Sequence, residues 1–233
     1  MPAPMPMPRA RPGTRSPDRT LYDPQFEHDA CGIALVADLT ASPSHRLVDQ
    51  ALTALERLDH RGAKGADENT GDGAGILTQI PDEFLRGVVD FELPEVGHYA
   101  TGTVFLPQDP DDATKARSSI AEIALQESLT VLGWREIPTV PDQLGDAAVH
   151  SMPAIWQLFV ATNQTTDQTV TTAQTATAQT ATATTTTDPA LFLDRLSFCL
   201  RKRIEHELNG VYIPSLSART LVYKGMLTSL QLR

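Results

Sequence analysis

Between Thr162 and Thr187 the chain runs almost wholly in threonine, alanine and glutamine, and Val170 is the only large apolar side chain there. A segment of this composition cannot bury enough apolar surface to offset the entropy of ordering it. Threonine-rich runs can also form strand, but this one has no apolar alternation, so a disordered surface insertion at 162–187 is the expectation. The ordered body must then be assembled from residues 21–161 and 188–233. Strand-like and helix-like patterns resume at once on either side, which places the tract inside one domain.

Composition narrows the classes of function. A length of 233 residues suits one domain, or one and a fraction, and an apolar fraction of 41% is adequate for a core. A formal net charge of −10 argues against nonspecific nucleic-acid binding. No apolar run approaches the roughly 20 residues of a membrane span. The first residues, Met1 to Thr20, are rich in proline and arginine and lack the apolar stretch of a secretory signal. Arg9, Arg11, Arg15 and Arg19 give them a trace of transit-peptide character. However, Pro2, Pro4, Pro6, Pro8 and Pro12 prevent the amphipathic helix such a peptide needs. Residues 1–30 are expected to be a disordered leader or propeptide. The two cysteines, Cys31 and Cys199, fit a reducing cytoplasm and nothing asks for a disulfide. Cys199 lies in an amphipathic helical pattern and reads as a small core residue.

Within the body, helical and strand patterns alternate. Gly32–Asp38 reads as a buried strand. Arg46–Leu58 reads as an amphipathic helix, with Leu47, Val48, Ala51, Leu52, Leu55 and Leu58 on one stripe. A short strand, Ile76–Ile80, is followed by a helix opened by Pro81 and running through Val89. Tyr99–Leu106 alternates as a strand, Asp112–Leu132 is helical, Ile155–Ala161 is a strand and Pro189–Leu208 is a second long helix. Val211–Ile213 and Arg219–Tyr223 complete the pattern as strands. Mixed elements in this order make an α+β fold or a layered sandwich.

Between the first helix and the second strand, His60 to Gly75 is rich in glycine and aspartate. Gly71, Gly73 and Gly75 lack the third glycine of a dinucleotide fingerprint, because Ile76 stands in its place. No Gly-Lys-Ser/Thr follows, so the segment is not a phosphate loop. Asp67 and Asn69 hint at a calcium loop, yet Asp72 occupies the position that requires glycine, and Thr78 the position of the bidentate glutamate. What survives is a tight, glycine-permissive turn with Arg61 at the end of a helix. On loop chemistry alone, Arg61 could simply complement the helix C-terminus.

Cys31 ends the leader in the run His28-Asp29-Ala30-Cys31-Gly32-Ile33. Cleavage after Ala30 would give one residue both a thiol and a free α-amine, a nucleophile with its own base. A thiol of pKa about 8.5 can pass its proton to an amine of pKa about 7.7–8.0 near neutral pH. In the uncut chain the same nitrogen is a non-basic amide. The alternative is a buried cysteine at the start of a strand.

Three blocks in order resemble the glutamate synthase large-chain family. They are His28-Asp29-Ala30-Cys31-Gly32-Ile33, then the run from Leu58-Asp59-His60-Arg61-Gly62 to Thr70-Gly71-Asp72-Gly73-Ala74-Gly75-Ile76, then Val211 to Leu227. The resemblance implies a class II glutamine amidotransferase domain at 31–233, with an N-terminal-nucleophile fold, a four-layer α-β-β-α sandwich. It further implies that Cys31, exposed by removal of residues 1–30, attacks the side-chain amide of glutamine and releases ammonia from a thioester. By the same resemblance Arg61 and Gly62 sit beside the cysteine and fix its terminus, while Asp72–Gly75 packs beneath the site. Arg219 to Met226 would be a core strand.

The resemblance also defines what these residues lack. Family motifs of the type His-x-Arg-Phe-Ser-Thr-Asn, for the substrate clamp, and His-Asn-Gly-Glu, for the oxyanion hole, do not occur here. Asn209-Gly210 is followed by Val211. The expectation is a sandwich incomplete at its C-terminus, with no cofactor in this segment. FMN and an iron–sulfur cluster are expected only in the missing synthase domains. Expected partners are glutamine, that missing portion and a glutamate synthase small subunit. Two readings stay open: the glutaminase part of glutamate synthase, or a catalytically incomplete fragment or interaction module.

Overall fold

The computed structural model describes residues 32–40, 42–61, 67, 69–163 and 188–233. The leader, Cys31, Gly62 and nearly all of the threonine-rich tract lie outside the described residues. Thr162, where that tract begins, is the last residue of a strand.

The largest sheet contains β2 (Ala100–Leu106), β3 (Leu129–Glu136) and β4 (Ala154–Thr162), in the order β2-β4-β3 with both pairings antiparallel. Alternation along these strands sends Val104, Leu106, Leu158 and Val160 to one face, where they are buried. Two helices cover that face. The first, α3 (Pro110–Gln126), starts at Asp109, whose carboxylate accepts from the Asp111 and Asp112 amides. It buries Ala113, Ile120, Ile123 and Ala124. The second, α5 (Pro189–Glu207), is capped by Asp188 and buries Leu193, Ser197, Leu200 and Ile204, spaced to share one side of a helix. Their apolar side chains and the sheet make one core.

The opposite face of the sheet meets a smaller one. Here β1 (Ala74–Gln79) pairs antiparallel with β5 (Thr220–Gly225), and the Thr103 hydroxyl donates to the Val222 carbonyl at 2.9 Å. Gln157 is buried on this side. Its amide donates to Thr101 Oγ1 at 3.1 Å and its oxygen accepts from Arg135 Nη1 at 3.1 Å. A second apolar cluster, Leu85, Leu93, Tyr99 and Phe159, brings in α2 (Asp82–Val88). At its margin the Tyr99 hydroxyl donates to Asp82 at 2.8 Å, and Arg86 Nε donates to the same carboxylate at 2.8 Å.

The charges at that margin set an expected response to pH. Partial burial pushes the Asp82 carboxyl up, but hydrogen bonds from Arg86 and Tyr99 and the Arg86 charge outweigh it and hold the group below its ordinary value of 3.8. Burial, with the neighbouring carboxylate, pushes the Tyr99 phenol up. A depressed folded-state carboxylate stabilises the fold above its unfolded value, and this is lost as pH falls through the folded value. The urea midpoint of the native protein should therefore exceed that of Asp82→Asn at about pH 7, and the gap should shrink by about pH 3. A gap that does not change with pH would show that the carboxylate is not held by these partners.

Several elements depart from the sequence expectation. The helix expected over Asp112–Leu132 stops at Gln126, and Ser128, at φ 61°, turns the chain into β3. The left-handed residue breaks the helical path, and Leu129–Glu136 then finds hydrogen-bond partners along β4. The strand expected at Val211–Ile213 narrows to a single bridge between Tyr212 and Phe105. Gly32–Asp38 forms no strand, and Ile33 and Leu35 are 88% and 91% exposed. Among the described residues no strand pairs with it, and an unpaired strand has neither ladder nor face to bury. Cys199 points outward from α5 and is exposed, because the buried stripe of that helix passes through Ser197 and Leu200 instead. The helices α1 (His45–Arg57) and α4 (Asp146–Ser151) are the remaining α-helices among the described residues. Of these α4 has no counterpart in the sequence expectation.

Candidate functional site

The apolar stripe of α1 is half-buried, and Ser44 caps its start by accepting from the Arg46 amide at 3.2 Å. The helix delivers the chain to a short 3-10 turn, Asp59–Arg61, which opens the glycine-rich loop. Arg61 is thus placed at the helix end, as the sequence predicts. Cys31 and Gly62, the other predicted site residues, lie outside the described residues.

Both ends of the loop are fastened to one short turn of the C-terminal segment, Ser229–Leu232. At the first end, the Ser229 hydroxyl donates to Asp59 Oδ1 at 2.8 Å, and Ser229 is 8% exposed. At the second, Gln231 Nε2 donates to the Asn69 carbonyl at 3.0 Å. Arg233 continues the attachment to α1 through Glu56 at 2.8 Å and Asp49 at 3.8 Å.

The second end of the loop also packs on the segment before α4. Asp67 accepts from the Thr70 hydroxyl at 2.8 Å and from the Asn69 amide at 3.2 Å. The Gly145 amide donates to the Asn69 carbonyl at 3.1 Å. At Gly145 a Cβ would overlap the Asp67 carboxylate and the Thr70 hydroxyl, so a larger residue would displace those side chains. Gly71 is restricted more severely: a Cβ would overlap the Leu227 carbonyl and the Thr228 amide nitrogen, both backbone. Asp72 and Gly73 are exposed, and Ala74 and Gly75 enter β1.

Sequence reasoning singled out the loop but not the groups that hold it. Asp59, Gly145, Ser229 and Gln231 are 75 or more residues from the segment each contacts in at least one case, up to 170 between Asp59 and Ser229. No periodic pattern marks such pairings. Among the described residues no group of three or more histidine, cysteine, aspartate or glutamate side chains could hold a metal ion. None of the described helices is long and apolar enough to cross a membrane.

The sequence model of the class II glutamine amidotransferases matches residues 31–233. The chain belongs to this family. The amidotransferase match covers the loop, its anchors and both sheets, and it begins at Cys31. Its relatives include the glutamate synthase [NADPH] large chain of Bacillus subtilis, 38% identical over 213 residues, which are 89% of this chain and 13% of that protein. The ferredoxin-dependent glutamate synthase 2 of Synechocystis is 38% identical over 208 residues, 88% of this chain and 12% of that protein. The glutamate synthase [NADH] of Saccharomyces cerevisiae is 36% identical over 226 residues, 91% of this chain and 10% of that protein. The amidotransferase sequence therefore spans a small part of the length of these relatives, and it is homologous to that part of an enzyme family.

Proposed function

We propose that this chain is the glutaminase part of a glutamate synthase, generating ammonia from glutamine at Cys31. The observation that carries the reading is the starting point of the family match, at Cys31 itself. A domain whose family sequence begins at a cysteine suits a nucleophile exposed by removal of residues 1–30. The α-amine takes the thiol proton, and the sulfur attacks the carbonyl carbon of the glutamine side chain. The C–N bond breaks, ammonia leaves with the proton, and a thioester stays on Cys31. Water then adds, the C–S bond breaks, and glutamate departs as the thiol re-forms. Arg61 and Gly62 position the new N-terminus, and the completed domain is a four-layer α-β-β-α sandwich. The substrate clamp and oxyanion hole would be supplied by the part of a glutamate synthase outside these 233 residues, where FMN and an iron–sulfur cluster would also be bound. A glutamate synthase small subunit is a further partner.

A second reading, a catalytically silent fragment or interaction module, is favoured by one observation. Among the described residues no strand pairs with residues 32–38, next to Cys31, and Ile33 and Leu35 are exposed. One missing oxyanion-hole donor already lowers rates by about 10²–10³. We therefore expect negligible glutaminase activity from the 233 residues alone. Activity should appear once the remaining amidotransferase motifs are supplied in the same polypeptide, and Cys31→Ala should abolish it. Intact mass should show the loss of residues 1–30. Cys31-dependent ammonia release from the chain alone would overturn the second reading. Its absence from the extended polypeptide would overturn the first.

A further inference from the structure

We propose that Gln231 is a positioning residue for the amidotransferase reaction, its side-chain amide clamping the glycine-rich loop at Asn69 to the segment before α4 at Gln143. The amide has two N–H donors, and both are used. One reaches the Asn69 carbonyl at 3.0 Å and the other the Gln143 carbonyl at 2.6 Å. Its oxygen accepts from the Thr228 amide at 2.8 Å. Only a primary amide supplies two donors and an acceptor on one rigid plane at this point.

The placement gives the clamp its consequence. Ser229 holds Asp59 and Gln231 holds Asn69, so a single short turn fixes both ends of the stretch that contains Arg61 and Gly62. Gly145 reinforces the second end by donating to the same Asn69 carbonyl at 3.1 Å. Release at Asn69 frees one end of that stretch and leaves the other tied. The inference rests on the reading that Arg61 and Gly62 act beside Cys31.

The test is amide hydrogen exchange on the whole chain, with Gln231→Leu and Gln231→Glu compared with wild type at the same pH. Gln231→Leu keeps bulk but removes all three side-chain hydrogen bonds, and the Gly145 amide should exchange about tenfold faster, as fits two bonds to the clamped carbonyls of modest net strength. Amides of β2 and β4 should be unchanged, which shows that the fold survives. At about pH 8 the Gln231→Glu carboxylate faces two carbonyls with no proton to give and should match the leucine variant. At about pH 4 it is protonated, donates once more, and should recover much of the wild-type protection. Asp59, Asp67 and Asp142 on the neighbouring segments, Asp49 and Glu56 on α1, and Arg233 are the same in every variant, so the comparison at equal pH cancels them. In the extended polypeptide Gln231→Leu should lower ammonia release about tenfold, and Gln231→Glu should regain activity relative to wild type as pH falls. Wild-type exchange at Gly145 in Gln231→Leu, or a glutamate variant indifferent to pH, would overturn the clamp. Ammonia release that survives Cys31→Ala would instead overturn the reading of the site, so the two fail separately.

Discussion

Phe159→Ala should destabilise the fold by about 3–5 kcal/mol, the range for removing a buried aromatic ring. Phe159 is fully buried in β4 and faces away from the two long helices, toward α2 and the smaller sheet. Its ring meets Phe91 edge-on at 5.3 Å between centroids and Tyr99 at 6.3 Å. The neighbours have little freedom to close the hole. Tyr99 is tied to Asp82 through its hydroxyl, and Phe91 lies so close over Gly133 that a Cβ there would overlap its ring. A cavity that cannot collapse retains its full energetic penalty. Urea denaturation followed by circular dichroism measures the change. A loss below about 1 kcal/mol would mean that the cluster repacks, contrary to the tethering just described.

Gly71→Ala should be the second severe change, and it acts at the site. The added methyl group meets backbone atoms of Leu227 and Thr228, which cannot rotate aside. Either the loop or the 226–233 segment must move, at about 1–3 kcal/mol for an overpacked position. Displacement should also weaken the Asp59–Ser229 and Asn69–Gln231 attachments, so trypsin should cut faster after Arg61 and Lys64. Gly87→Ala is the control. It lies within α2, where a Cβ would meet nothing within 4 Å. Alanine there should be neutral or stabilise by up to about 1 kcal/mol. Equal effects of the two substitutions would show that the close approach at Gly71 is not rigid.

Local pattern in the sequence accounts for part of this fold and not for the rest. The helix expected at Pro189–Leu208 and the strand expected at Tyr99–Leu106 follow from local pattern and both form, as Pro189–Glu207 and Ala100–Leu106, although burial along the strand is nearly continuous rather than alternating. The loop was legible because its glycines exclude ordinary helix and strand. Ser128 is not legible, because a left-handed serine leaves no mark of its own between Glu127 and Leu129. Cys199 was misplaced because its stripe lies one residue from the buried one, a difference set by how α5 rolls against the sheet. Gly32–Asp38 has the composition of a strand, but burial depends on a neighbour the local sequence does not encode. Gln231 had no signal at all. Its partners are 88 and 162 residues away, and only the assembled chain brings them within reach.

The same separations set an order of events in folding. Helix α1 and the glycine-rich loop leave the ribosome early, and the groups of the Ser229–Leu232 turn that fasten them come far later. Ser229 is 170 residues beyond Asp59, and Arg233 is 177 beyond Glu56. Contacts of such long range carry a large loop-closure entropy and form late. The helix-covered sheet can consolidate first, with Gly145 holding the loop at Asn69, but the attachment at Asp59 must wait until Ser229 has been synthesised. A ribosome stalled shortly before that point would hold a chain with a largely formed core and a loop fastened at Asn69 but not at Asp59.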